Sequence, residues 1–129
     1  MNILKKTARS IIVAISWRIA RRYIARNDVT LVGVVGSVGK TGTKRAIAHV
    51  LSAHKRVAWQ EGNYNDLVSV PLVVFGLSMP SLFNPFAWLM VFLRMVTATS
   101  KNAPDVAVLE LGTDGPGQIA AFGRYLQLD

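Results

Sequence analysis

The stretch VTLVGVVGSVGKTGTK, residues 29–44, constrains the fold of this chain more than any other. Val29–Val35 is a short β-branched run, the pattern of a strand buried on both faces of a parallel sheet. Two glycines follow, and Lys40–Ala53 then reads as a helix. A strand that turns through glycine into a helix aims several backbone N–H groups at one point, where the helix N-terminus favours negative charge. The turn therefore reads as an anion cradle, but its spacing is unusual. The common phosphate-binding pattern is Gly, four residues, then Gly-Lys-Ser/Thr. Here Val34 stands where that first glycine would be, and the segment is Gly36-Ser37-Val38-Gly39-Lys40-Thr41, continuing into Gly42. In this reading Lys40 reaches phosphate oxygens and the Thr41 hydroxyl ligates Mg2+, a hard cation that prefers oxygen. The competing reading is an ordinary glycine turn with a solvated Lys40.

The rest of the chain alternates in the same way. Residues 3–26 hold no Pro or Gly and read as a helix, with Leu4, Ala8, Ile11, Ile12, Ile15, Ile19 and Tyr23 on one broad face. Lys55–Gln60 reads as a second strand and EGNYND as a polar loop. Leu67–Leu77 reads as a helix whose first turn tolerates Pro71. After a break from Pro80 to Pro85, Phe86–Thr97 is a strongly apolar helix. Asp105–Leu111 is a third strand, buried except at its end; Gly112–Gly117 is a turn, and Gln118–Leu126 begins another helix. Strands separated by helices predict an α/β fold with a parallel sheet. Two segments are expected: a basic amphipathic helix over 1–28 and an α/β unit over 29–129. Three strands with these helices make a small core, so the unit is expected to be incomplete.

Charge narrows the partners. Residues 1–30 hold Lys5, Lys6, Arg9, Arg18, Arg21, Arg22 and Arg26 against Asp28 alone, which is +6 of the chain's net +8. Basic character confined to one arm, with no RNA- or DNA-binding signature, speaks against a nucleic-acid-binding domain. The uncharged run Ser10–Trp17 is too short to span a bilayer, which takes roughly 20 apolar residues. Arginines stand where a signal peptide would need small residues. The arm is expected either to lie on a membrane surface or a partner, or to pack on the protein's own sheet. Without cysteine there is neither a disulfide framework nor a thiolate metal site, which fits a cytoplasmic protein. His49 and His54 lie five apart, off the usual spacing of a metal pair on a helix.

Three segments in order carry a resemblance. The loop GSVGKTGTK, residues 36–44, resembles that of the Mur ligases, which run Thr-Gly-Thr/Ser-x-Gly-Lys-Thr; Val35 replaces the first Thr. EGNYNDLVSVPL, residues 61–72, resembles the Gly-Asn-x-Asn-Asn-x-x-Gly-x-Pro segment of the D-alanyl-D-alanine-adding (MurF-type) members. VAVLELGTDGPGQI, residues 106–119, resembles their Glu-x-Gly-x-x-x-x-Gly-x-Ile segment. The resemblance covers about residues 29–129 and corresponds to the first part of the family's central ATP-binding domain.

The resemblance implies ATP and Mg2+ as cofactors. Lys40 and Thr41 would hold phosphate and metal, and Glu110 would bind Mg2+ directly or through water. That placing agrees with the tendency of open α/β sheets to bind ligands beyond strand carboxyl ends. The alternative for Glu110 is an exposed strand-end charge. Asn63 and Asn65 would orient the substrate, or be plain turn residues, and Asp66 suits a helix N-cap. The implied reaction is amide-bond formation through an acyl phosphate, on a UDP-linked or lipid-linked peptidoglycan precursor. The family's substrate-binding domain should precede the loop by far more than 30 residues, and the family's groups that hold adenine and acceptor have no counterpart here, so the chain is expected to bind nucleotide weakly at best and to be inactive alone. It is expected in the cytoplasm, peripheral to the membrane's inner face if residues 3–26 and 82–98 touch lipid. Two other readings stand beside this one: a different phosphate-loop NTPase or kinase, and a non-catalytic, membrane-associated nucleotide-binding module.

Overall fold

A computed structural model describes residues 2–127; residues 128 and 129, the end of the expected second segment, lie outside them. Three strands, β1 (Thr30–Val34), β2 (Val57–Ala58) and β3 (Val106–Glu110), form one sheet in the order β1-β3-β2. Both pairings are parallel, with Thr30 opposite Val106, Val34 opposite Glu110 and Val57 opposite Val106. β3 is central and wholly buried, which is why its sequence is apolar without alternation. The expected strand at Lys55–Gln60 shortens to two residues, because only Val57 and Ala58 pair with β3.

The sheet carries a helix layer on each face. On one side α2 (Lys40–Leu51) sets Ala48 against Val34, Val106 and Val108. On the other lies α3 (Val70–Phe75), itself covered by α1 (Ile3–Arg26), with α4 (Pro85–Val96) against α1. Sandwiched between sheet and α1, α3 has buried residues all round, Val70 through Val74. Pro71 sits in its first turn as expected, and Gly76 ends it in the left-handed conformation, with Leu77 N–H returning to Leu72 C=O at 3.1 Å. Asp66 caps the turn ahead of it: its Oδ1 accepts from Ser69 N (2.8 Å) and from Ser69 Oγ (2.6 Å). A short α5 (Gln118–Gly123) follows β3.

The N-terminal helix packs on the protein's own core, through a face that shares Ile12 and Tyr23 with the expected one but is rotated from it. Ile12, Val13, Ser16, Trp17, Ala20 and Tyr23 are buried, while Leu4, Ile11 and Ile15 are exposed and Ile19 is half-buried. The small Ser16 and Ala20 let α1 lie close to α3, and Trp17 decides the rotation. Its ring stacks on Tyr125 at 5.2 Å between centroids, and its Nε1 donates to Leu67 O at 2.9 Å. A buried indole needs a partner for its N–H, and in this rotation Leu67 O supplies one.

Candidate functional site

The site lies at the carboxyl end of the sheet. β1 ends at Val34, Leu111 N–H donates to Val34 O at 2.9 Å, and the chain then leaves the sheet through Val35–Gly39. Gly36 (φ +146°) and Gly39 (φ +80°) hold backbone conformations that side chains resist. Gly39 is the N-cap of α2, with no side chain closing the helix end. The exposed Ser37 and Val38 form the tip of the turn. Thr113, beyond β3, anchors it by donating its hydroxyl to Gly36 O at 3.0 Å.

From the first turn of α2, Lys40, Thr41 and Lys44 face β3, because residues three and four apart share a helix face. The Thr41 hydroxyl donates to Glu110 Oε2 at 3.3 Å. Lys44 Nζ lies 3.0 Å from the same oxygen and also donates to Gly62 O at 3.2 Å. The Lys44 and Glu110 side chains are 2% and 4% exposed, so this ion pair is buried. Lys40 Nζ lies 3.9 Å from Asp114 Oδ1, at the mouth of the site.

Glu110 is therefore not an exposed strand-end charge. A carboxylate at the end of a buried strand needs a cation, and Lys44 is the one beside it. Sequence reasoning passed over Lys44, although a signal was there: it stands three residues from Thr41 and four from Lys40, on the face those residues share. The predicted residues at the loop, Gly36 through Gly42, and Glu110 come together at one sheet end. The two asparagines divide. Asn65 O accepts from Gly112 N at 2.7 Å, fastening the polar loop to the end of β3. Asn63 is exposed and makes no hydrogen bond among the described residues.

Gly112 is required by that contact: a Cβ there would stand 2.7 Å from Asn65 O. Arg45 grips the same loop from α2, its Nε and Nη2 donating to Glu61 Oε1 and Oε2 at 3.1 and 2.8 Å. Asp66 closes the loop's far end. Burial raises its pKa, but the Ser69 hydrogen bonds and the Arg9 guanidinium (3.3 Å) outweigh that and hold it below the usual aspartate value.

The residues present suit a nucleotide phosphate with Mg2+. Gly39 has nothing within 4 Å of where a Cβ would point, so the cradle is open at the helix end. The hydroxyl of Thr41 and the carboxylate of Glu110 are hard oxygen donors of the kind Mg2+ takes alongside phosphate oxygens. Among the described residues no cluster of three or more His, Cys, Asp or Glu could hold a metal unaided. A separate cavity of about 890 Å3 lies beside α1, the amino half of β1 and Tyr125, away from this loop.

No family model matches the chain, and no solved structure matches it significantly. Two curated relatives share the name UDP-N-acetylmuramoyl-tripeptide–D-alanyl-D-alanine ligase. The one from Bacillus subtilis is 30% identical over 112 residues, 87% of this chain and 20% of the relative. The one from Synechocystis sp. is 32% identical over 108 residues, 84% of this chain and 17% of the relative. The chain thus spans about a fifth of the length of these relatives.

Proposed function

From its homology to Mur ligases of the MurF type over most of its own length, we propose that this chain supplies the ATP-phosphate and Mg2+ site of an amide-forming ligase. The observation that carries the reading is the meeting of the Gly36–Gly39 turn, Lys40, Thr41 and Glu110 at one sheet end, with Thr41 Oγ1 3.3 Å from Glu110 Oε2. The backbone N–H groups after Gly36 and the ammonium of Lys40 bind the phosphates. Thr41 and Glu110 hold Mg2+, which when bound offsets charge on the phosphoryl group being transferred. Lys44 keeps Glu110 in place through the same carboxylate oxygen that the Thr41 hydroxyl contacts. Lys40 exchanges its long contact with Asp114 for phosphate oxygens.

The reaction so served is phosphorylation of a carboxylate and attack of an amine on the acyl phosphate. The carboxylate would belong to a UDP-linked or lipid-linked peptidoglycan precursor, oriented by Asn63 and Asn65. This is positioning and electrostatic chemistry, and it needs no nucleophilic side chain.

Calorimetric titration of the chain with Mg-ATP tests the reading. Binding that requires Mg2+ and disappears in Lys40→Ala is expected. A folded chain that binds no Mg-ATP, or a Lys40→Ala variant that binds it equally well, would remove the site from consideration.

A further inference from the structure

The surface opposite α2 carries an apolar face that nothing in the fold covers. On α4, Phe86, Leu89, Met90, Leu93 and Val96 are all exposed, Phe86 at 80%. At about 100° per residue they occupy an arc of about 120°, pointing away from the buried Trp88, Val91 and Met95. Phe83, just before the helix, is exposed as well. This is a continuous stripe of large side chains, not the scatter that any surface shows.

Beside it runs α1. Lys5 Nζ lies over the Phe83 ring, 5.0 Å from its centroid, at one end. Arg26 Nη2 donates to Ala98 O at 3.3 Å, just past α4, at the other. The two helices therefore lie alongside each other on the same side of the sheet. Around α1, Leu4, Ile11, Ile15, Arg18 and Arg22 fall within an arc of about 60°, all exposed and turned from the core. Ile19 and Arg26, next around the helix, turn toward the core and the end of α4.

Charge is segregated with the apolar surface. Residues 2–27 and 67–104 contain no Asp or Glu, and Arg94 is the charge within α4. A face of Phe, Leu, Met and Ile bordered by arginine and lysine, with no acid on either helix, is complementary to one kind of surface. Apolar side chains enter the acyl boundary while the cations meet anionic headgroups. A protein partner of ordinary composition would not demand so one-sided a charge. Among the described residues no helix is long and apolar enough to cross a membrane, so contact would lie along the surface.

We propose that α1 and α4 form a docking surface for an anionic lipid bilayer, with Phe83, Phe86, Leu89 and Leu93 inserted and Arg18 and Arg22 on headgroup phosphates. Both helices lie flat in this arrangement. Arg9 of α1 reaches Asp66 at 3.3 Å, so the amino end of α1 is at the sheet end that bears the candidate site.

Flotation of the full chain tests this, with phosphatidylcholine vesicles alone and with about a third phosphatidylglycerol, at low and high salt. The chain is expected to float with anionic vesicles, less so in high salt. Phe86→Ser/Leu93→Ser, changed at exposed positions, should abolish flotation with an unchanged melting temperature. Arg18→Gln/Arg22→Gln should weaken binding about 25-fold, roughly fivefold for each cation near an anionic surface. A folded chain that floats with neither vesicle, or variants that float as well as the parent, would overturn the proposal. Sedimentation revealing a dimer that Phe86→Ser/Leu93→Ser breaks, in a chain that does not float, would overturn it in favour of a second copy on this face.

Discussion

Replacing Lys44 by Met removes one partner of a buried ion pair and keeps the aliphatic bulk. Glu110 Oε2 would retain the Thr41 hydroxyl at 3.3 Å but lose the ammonium at 3.0 Å, and Gly62 O would lose its donor at 3.2 Å. Breaking a pair this deeply buried costs about 3–5 kcal/mol, because the surviving charge is left without compensation. With an unfolding entropy of about 2.1 cal/mol/K per residue over 129 residues, that lowers the melting temperature by about 11–18 °C. The assay is thermal and urea unfolding of the parent, Lys44→Met, Glu110→Gln and the double variant. Lys44→Met/Glu110→Gln, with no charge left uncompensated, should recover most of the loss, so the two single costs must be far from additive. If Lys44→Met unfolds the chain, the double variant should still fold. A Lys44→Met cost under about 1 kcal/mol, or a double variant that costs the sum of the singles, would refute the assignment of Lys44 as the counter-ion of Glu110.

Gly112→Ala should destabilise the chain by about 1–3 kcal/mol, since its Cβ would stand 2.7 Å from Asn65 O; faster amide exchange at Gly112, measured by NMR, would report the parted loop. Trp17→Phe, which leaves Leu67 O without its donor, should cost about 1–3 kcal/mol in urea unfolding; a neutral result would mean that the indole N–H is not what orients α1. Asp66 titrates at a lower pH folded than unfolded, so its contribution is complete above the ordinary value of 3.8 and is lost as pH falls through the lowered folded value. Urea unfolding across this acid range should show a smaller loss of stability in Asp66→Asn than in the parent.

The architecture was largely legible because local pattern and burial agree along most of the chain. β3 reads VAVLE because both its faces are covered, and a continuous apolar run is the trace such burial leaves. The Gly36–Gly39 turn was equally plain, since positive backbone angles before a helix call for glycine. Pro71 in the first turn of α3 is a local device of the same sort. The second strand was overestimated because KRVAWQ has strand-like residues beyond the two positions where β3 offers a partner.

What only the tertiary structure decided are contacts between residues far apart in the chain. Periodicity grouped Ile11 and Ile15 with Ile12 and Tyr23 on one broad face of α1 and left open what that face meets. The fold buries Ile12 and Tyr23 together with Trp17 and Ala20 and leaves Ile11 and Ile15 exposed, with the Trp17 indole donating to Leu67 O, fifty residues on. Lys44 reads in sequence as one more surface cation of an amphipathic helix. It is buried because Glu110, sixty-six positions on, ends a strand directly beneath it. Composition and pattern established a basic arm and a strongly apolar helix over 86–97; their alignment into one surface follows from α1 lying on α3 beside α4. Residue type and spacing determine which elements form and which chemistry the chain carries. Which side chains then share a charge, a hydrogen bond or a face depends on packing, and packing is set by the whole chain at once.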